Sequence, residues 1–200
     1  MKTGGIVLCG GRSRRMGRAK ATLSFGPETM LARVVRLLGE VVEPIVVVAA
    51  ADQELPELPP EILLLHDRRP DRGPLEGLAV GLQAIGDRAE AAFVAACDLP
   101  LLKPAFVRRM IELAAEHDIA VPHIGGFDEP LAAVYRTSVL PPSERLLAAE
   151  SLRIVYLFDH VRTRRVTVEE LAGVDPQLHS LANINTPEDY QAALRQAKLR

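Results

Sequence analysis

Five short apolar runs constrain this chain more than any other feature. They are "GIVLC" (5–9), "PIVVVAA" (44–50), "EILLLH" (61–66), "AAFVAAC" (91–97) and "IAVPH" (119–123). Each has strand length, and each reads as a buried strand, apolar on both faces. Segments with helical spacing lie between them. In "TMLARVVRLLGEV" (29–41), Leu31, Val34, Val35 and Leu38 fall on one helical face. "PLEGLAVGLQAI" (74–85) and "KPAFVRRMIELAAEH" (103–117) each carry a proline near the start, where a helix tolerates it. Strands buried on both faces and alternating with helices predict an α/β fold. It should be a mostly parallel twisted sheet, with helices on both faces and right-handed crossovers.

The alternation loosens after about residue 123. "PLAAVY" (130–135) predicts another strand, antiparallel to the rest, and "SERLLAAESLRIVYLFDHV" (143–161) predicts a helix. "TRRVTV" (163–168) predicts a short strand. The last helix, "TPEDYQAALRQAKLR" (186–200), opens on a capping pattern, with Thr186 as N-cap, Pro187 first and Asp189 third. Two hundred residues without repeats or a long linker suit a single domain.

Composition removes several functional classes. A net charge of -2 argues against a broad nucleic-acid-binding surface. Cys9 and Cys97 each end an apolar run and belong to no CxxC or Cys/His cluster. They read as small buried hydrophobes, not as a disulfide framework or a zinc site. No apolar stretch approaches the roughly 20 residues of a bilayer span, and no signal peptide is visible, so a soluble cytoplasmic protein is expected. The five histidines lack metal-ligand spacing, and no nucleophilic triad stands out.

Polar sequence collects where an open α/β sheet binds ligands, outside the carboxyl ends of its strands. "GGRSRRMGRAK" (10–20) follows the first run and holds five basic residues, Arg12, Arg14, Arg15, Arg18 and Lys20. Gly10 and Gly11 allow close backbone approach, and amide and cationic donors suit phosphate oxygens. The loop is neither a Walker A motif, since Arg18 follows Gly17, nor GxGxxG. In "HDRRPDRGPLEGL" (66–78), Asp67 is placed to accept hydrogen bonds from a ribose, or from the adjacent N–H donors of guanine. Gly77 and Gly81 share a helix face, so something packs close to that backbone, either the sheet or a ligand. Asp98 in "ACDLPLL" (96–102) is a carboxylate suited to Mg²⁺ beside a triphosphate. Asn183 and Asn185 in "LANINTPEDY" (181–190) face the same way in an extended segment, and taken alone read as turn formers.

With these segments in order, "LCGGRSRRMGRAK" resembles the signature loop of sugar-nucleotide and cofactor nucleotidyltransferases. Adding "DRRPDRGPLEGL", "CDLPLL", "EPLAAVY" and "NINTPEDY", the chain resembles the molybdenum cofactor guanylyltransferases from Leu8 to Tyr190. That resemblance implies a single-domain Rossmann-like nucleotidyltransferase fold, with a nucleotide-binding half over about 1–123 and an acceptor-binding half over about 124–200. It implies Mg²⁺-dependent transfer of GMP from GTP to molybdopterin, giving the guanine dinucleotide cofactor and pyrophosphate. Transient contact with proteins that deliver molybdopterin or mature molybdoenzymes is implied too. Leu8, Cys9 and Gly10 would line the nucleotide, Gly11, Arg15, Gly17 and Lys20 would hold its triphosphate, and Asp67 would contact it. Asp98 would bind Mg²⁺, and catalysis would rest on Lys20, Arg15 and Asp98. Gly77, Gly81, Asn183 and Asn185 would lie near the reacting phosphates or the acceptor. The chain departs from the family's common pattern at Cys9, Ala19 and Ala49, where Ala, Asp and Asn are frequent.

The implied chemistry needs no general base, because a phosphate monoester nucleophile is already anionic at neutral pH. Repulsion between anions is the obstacle, and Lys20, Arg15, loop amides and Mg²⁺ would offset it. The alternatives are a related transferase using CTP or another phosphorylated acceptor, and a nucleotide-binding protein without catalysis. Aromatic content of 4% with no Trp leaves base recognition to hydrogen bonds rather than stacking.

Overall fold

The computed structural model describes residues 1–10 and 19–199. Strand β1 (Thr3–Cys9) is buried at every position because its alternate side chains feed two cores. Beyond it, a hairpin of β2 (Ser24–Phe25) and β3 (Glu28–Thr29) leads into α1 (Met30–Gly39). The Thr29 hydroxyl caps α1 by accepting from Ala32 N at 3.2 Å. Next come β4 (Ile45–Ala49), β5 (Leu63–His66), α2 (Pro74–Ile85), β6 (Ala91–Ala96) and α3 (Pro104–Leu113). The rest is β7 (Ile119–Ile124), β8 (Phe127–Asp128), β9 (Ala132–Arg136), α4 (Leu140–Ala148), β10 (Thr163–Val166), α5 (Val168–Leu171) and α6 (Pro187–Gln196).

The main sheet has the order β10-β7-β9-β6-β1-β4-β5, with β8 paired to β7. Pairings along it are parallel except those of β9 and β8, which are antiparallel to their neighbours. One face packs Val7, Cys9 and Phe93 against Leu31, Val34 and Leu38 of α1 and Phe106 and Met110 of α3. The other packs Ile6, Leu8 and Val94 against Leu75, Leu78 and Leu82 of α2. Each such side chain contributes about 1.5–3 kcal/mol when fully buried. Helix α2 lies so near the sheet that a Cβ on Gly81 would stand 2.7 Å from Ile6 Cγ2.

Two expectations need correction. The third run forms an exposed strand: Leu63 and Leu64 of β5 are 38% and 43% exposed. Among the described residues it ends the sheet and pairs only with β4. The helix expected over 143–161 is two elements. α4 stops at Ala148, Glu150 turns in the left-handed region (φ 56°), and a 3₁₀ stretch follows over Ile154–Asp159. Ile154, Leu157 and Phe158 are buried at a spacing that a continuous helix would share. The β2–β3 hairpin was not expected either; Phe25 anchors it in a small core with Met30, Leu101, Ile184 and Ala193.

A polar strap fixes the C-terminal segment. The carboxylate of Asp175, fully buried, accepts from Lys103 Nζ at 2.6 Å and from Ser180 N at 2.7 Å. Ser180 Oγ in turn accepts from Lys103 N at 3.0 Å. Burial opposes the charge on Asp175, yet the bonds from Lys103 and Ser180 outweigh it and hold the carboxyl below its ordinary range. The chain then reaches Ile184, whose N–H donates to Asp98 O at 3.2 Å.

Candidate active site

Three remote parts of the chain meet at Lys20. Its ammonium donates to Asp98 Oδ2 and to Asn185 Oδ1, each at 2.7 Å. Asp98 stands just past the end of β6, and Lys20 opens a 3₁₀ turn over Lys20–Thr22. Asn185 immediately precedes the Thr186 cap of α6. Its N–H donates to Asp189 Oδ2 at 3.1 Å, so the capping box also sets the asparagine. The Lys20 and Asp98 side chains are 17% and 16% exposed. Asp98 Oδ1 is buried and has no hydrogen-bond partner among the described residues.

Beside this junction a cleft of about 860 Å³ opens at the carboxyl ends of β1, β4, β5 and β6. The strand order reverses about β1 there, where an open α/β sheet forms a crevice. Leu8, Cys9, Gly10, Asp67, Gly77 and Asp98 line it. Asp67 follows β5, held by its N–H to Ala49 O at 2.9 Å. Burial and the nearby negative charge of Glu76 push its carboxyl up to about 6, while His66 acts weakly the other way. Glu76, in α2, is 1% exposed; its Oε1 has no partner among the described residues and its Oε2 accepts from Arg69 at 3.4 Å. At pH 7 Asp67 is therefore mostly ionised but poorly solvated, an acceptor in want of donors.

A family model described as a MobA-like NTP transferase domain matches residues 5–164. The chain belongs to that family. It is similar to a probable molybdenum cofactor guanylyltransferase of Mycobacterium avium, at 37% identity over 99% of this chain and 98% of the relative. In fold it is similar to molybdopterin-guanine dinucleotide biosynthesis protein A from Archaeoglobus fulgidus, with TM-score 0.80, 24% identity and 99% of each chain covered. Rv0371c from Mycobacterium tuberculosis, solved in complex with manganese, shares the fold with TM-score 0.66 and 17% identity over 98% of this chain and 99% of that one.

This MobA-like NTP transferase is thus a nucleotidyltransferase, and its expected site residues can be placed one by one. Leu8, Cys9, Gly10, Asp67, Gly77 and Asp98 share the large cleft, and Lys20 and Asn185 meet Asp98 at its side. Asn183 lines a smaller adjoining cleft. Gly81 sits one turn along α2 from Gly77 and lines neither cleft; contact with Ile6 accounts for it, so its role is helix–sheet packing. Gly11, Arg15 and Gly17 lie outside the described residues, as do Arg12, Arg14 and Arg18. The Cys9 thiol is pushed far up by its hydrogen bond with Cys97, by burial and by the charge of Asp98, which makes it a neutral liner and not a nucleophile.

Sequence reasoning missed Glu76, although it is the one charged residue in a mostly apolar helix segment, a signal that was available. It also missed Asp52 and Gln53, which line the cleft beyond β4, a few residues past Ala49. No group of three or more His, Cys, Asp or Glu side chains poised for a metal occurs among the described residues. Among the described residues, Asp98 is the carboxylate that bonds Lys20 directly, with its other oxygen unpartnered, while Asp189 stands near enough to feel the Lys20 charge. That arrangement can hold a cation only jointly with ligand oxygens, a habit of Mg²⁺ at phosphates.

Proposed function

We propose that this NTP transferase moves GMP from GTP to molybdopterin, forming the guanine dinucleotide cofactor and releasing pyrophosphate. The convergence of Lys20, Asp98 and Asn185 beside a cleft that carries Asp67 carries the reading. The name of the Mycobacterium avium relative supports it. Asp67 offers two acceptor oxygens to guanine, whose ring N–H and 2-amino group donate side by side. Cytosine has a single amino donor on its pairing edge, so the same carboxylate favours GTP over CTP.

The acceptor phosphate arrives as an anion, and Lys20 neutralises charge where it meets the α-phosphate. With one oxygen that has no donor among the described residues, Asp98 fits a divalent cation, which we take to be Mg²⁺. Bound there, that cation supplies Lewis-acid charge to the phosphate oxygens. Asn185 holds the Lys20 ammonium through a second bond, so Lys20 keeps its place when Asp98 turns to another partner. Arg15, Gly11 and Gly17 belong to this reading as triphosphate ligands, on the resemblance of their loop. Residues of about 1–123 would then serve the nucleotide and those of about 124–200 the acceptor. No helix among the described residues is long and apolar enough to cross a membrane. We place the enzyme in the cytoplasm, in transient contact with proteins that supply molybdopterin and use the product.

The test is pyrophosphate release with Mg²⁺ and molybdopterin, offered GTP, CTP and ATP separately. Release with GTP alone is expected. Release with CTP alone would move the base preference, and no molybdopterin-dependent release with any nucleotide would overturn the reading.

A further inference from the structure

We propose that the small cleft beside the active site takes the heterocycle of the acceptor, and that Glu129 is the carboxylate that reads its N–H edge. The inference rests on the molybdopterin reading and adds the subsite that reading lacks. The cleft, of about 130 Å³, is lined by Leu99, Glu129, Pro130, Leu131 and Asn183 among others. Leu131 also lines the large cleft, so the two spaces share a wall. Leu99 follows Asp98 in sequence, and Asn183 is two residues from Asn185, so the cleft adjoins the phosphate junction on two of its sides.

The chemistry of the lining is specific. Leu99, Pro130 and Leu131 give an apolar surface for a flat ring. Glu129 gives an acceptor pair, and its backbone is fixed on both sides: its N–H donates to Pro122 O at 2.9 Å, and its C=O accepts from Ala132 N at 3.2 Å. Burial alone pushes its carboxyl up, with no described donor opposing the shift. Among the described carboxyl groups, Glu129 shares that upward direction with Asp67. The two heterocycles to be joined carry the same feature. Guanine and the pterin both have an amino-pyrimidinone ring that presents a ring N–H and an amino group side by side. One under-donated carboxylate in each cleft matches one such ring in each substrate.

Glu129→Gln tests this, because it keeps shape but replaces one acceptor oxygen with a donor. In the pyrophosphate assay, KM for molybdopterin should rise about 10- to 100-fold, the range for a lost charge-assisted bond. KM for GTP and kcat at saturating molybdopterin should stay within about twofold, since a lost ground-state contact moves KM alone. An unchanged molybdopterin KM in this variant, beside an active wild type, overturns the pterin subsite and leaves the proposed function standing. An equal rise in the GTP KM overturns it as well. A wild type that never releases pyrophosphate with molybdopterin overturns both. A readout independent of the variant uses wild-type protein and 6-hydroxymethylpterin as inhibitor. Competition against molybdopterin but not GTP is expected, and competition against GTP alone would overturn the assignment.

Discussion

At the scale of single residues, the site sets a cation between two acceptors and a half-buried carboxylate in the wall of the cleft. Lys20→Ala should lower kcat by about 10²- to 10³-fold, the size of one lost electrostatic contact at developing charge. Lys20→Arg should restore little, because a planar guanidinium cannot place a point charge between Asp98 and Asn185. Steady-state kinetics on the two variants checks both statements. Asp67 makes a second prediction. Its carboxyl titrates near 6, so KM for GTP should rise as pH falls through that value, and Asp67→Asn should flatten the profile. The sign for stability is opposite. A carboxyl raised above its unfolded value favours the fold most below the unfolded value, near 4, and loses that advantage as pH rises through 6. Asp67→Asn should therefore raise the melting temperature of the nucleotide-free protein at pH 8, while weakening GTP binding.

Elements show which sequence signals survive folding. α2 spans Pro74–Ile85, the bounds its proline and apolar spacing indicate, and Thr186 and Asp189 form the capping box that their spacing announces. Local chemistry decides such features, so a single sequence carries them. What failed depends on distant neighbours. "EILLLH" has the composition of a central strand, but among the described residues β5 stands at the sheet's edge with one partner, a placement that no local pattern encodes. Residues 143–161 keep helical spacing across a break because the buried positions of α4 and the later 3₁₀ stretch fall in one register of i, i+3 and i+4. In the site, Asp67, Asp98 and Lys20 were legible from their place after strands or within a basic loop, and Glu76 from its lone charge in α2, whereas Glu129 acquires meaning only from burial. Gly81 belongs to this scale too. Gly81→Ala gains about 1 kcal/mol of helix propensity, but its methyl must displace Ile6 from 2.7 Å, and overpacking costs about 1–3 kcal/mol. A net loss in urea-denaturation stability is expected, and Ile6→Val should not relieve it, because valine keeps the Cγ2 and Cγ1 atoms that the new methyl meets at 2.7 and 2.9 Å.

Over the whole molecule, stability and activity meet in the C-terminal segment. Asp175 is charged, buried and bonded to Lys103 and Ser180. Asp175→Asn should cost about 2–4 kcal/mol, because a charge-assisted buried contact is lost. Since its folded pKa lies below the unfolded one, this contribution is present above about pH 4 and lost as pH falls through the folded value. Denaturant midpoints at pH 7 and pH 3 should differ less in the variant than in the wild type. Beyond that strap, α6 docks on the β2–β3 hairpin, where the Tyr190 hydroxyl donates to Ser24 O and its ring meets Phe25 edge-on at 6.3 Å.

The bond from Lys20 to Asn185 joins positions 165 residues apart. While a ribosome is still making this chain, strand β1 and the cleft beside it can assemble long before residue 185 emerges. The nascent protein would then carry a nucleotide pocket whose lysine has, among the described residues, Asp98 alone to hold it. The junction at Lys20 is thus complete only once residue 185 has been made, so its two halves are joined in time as well as in space.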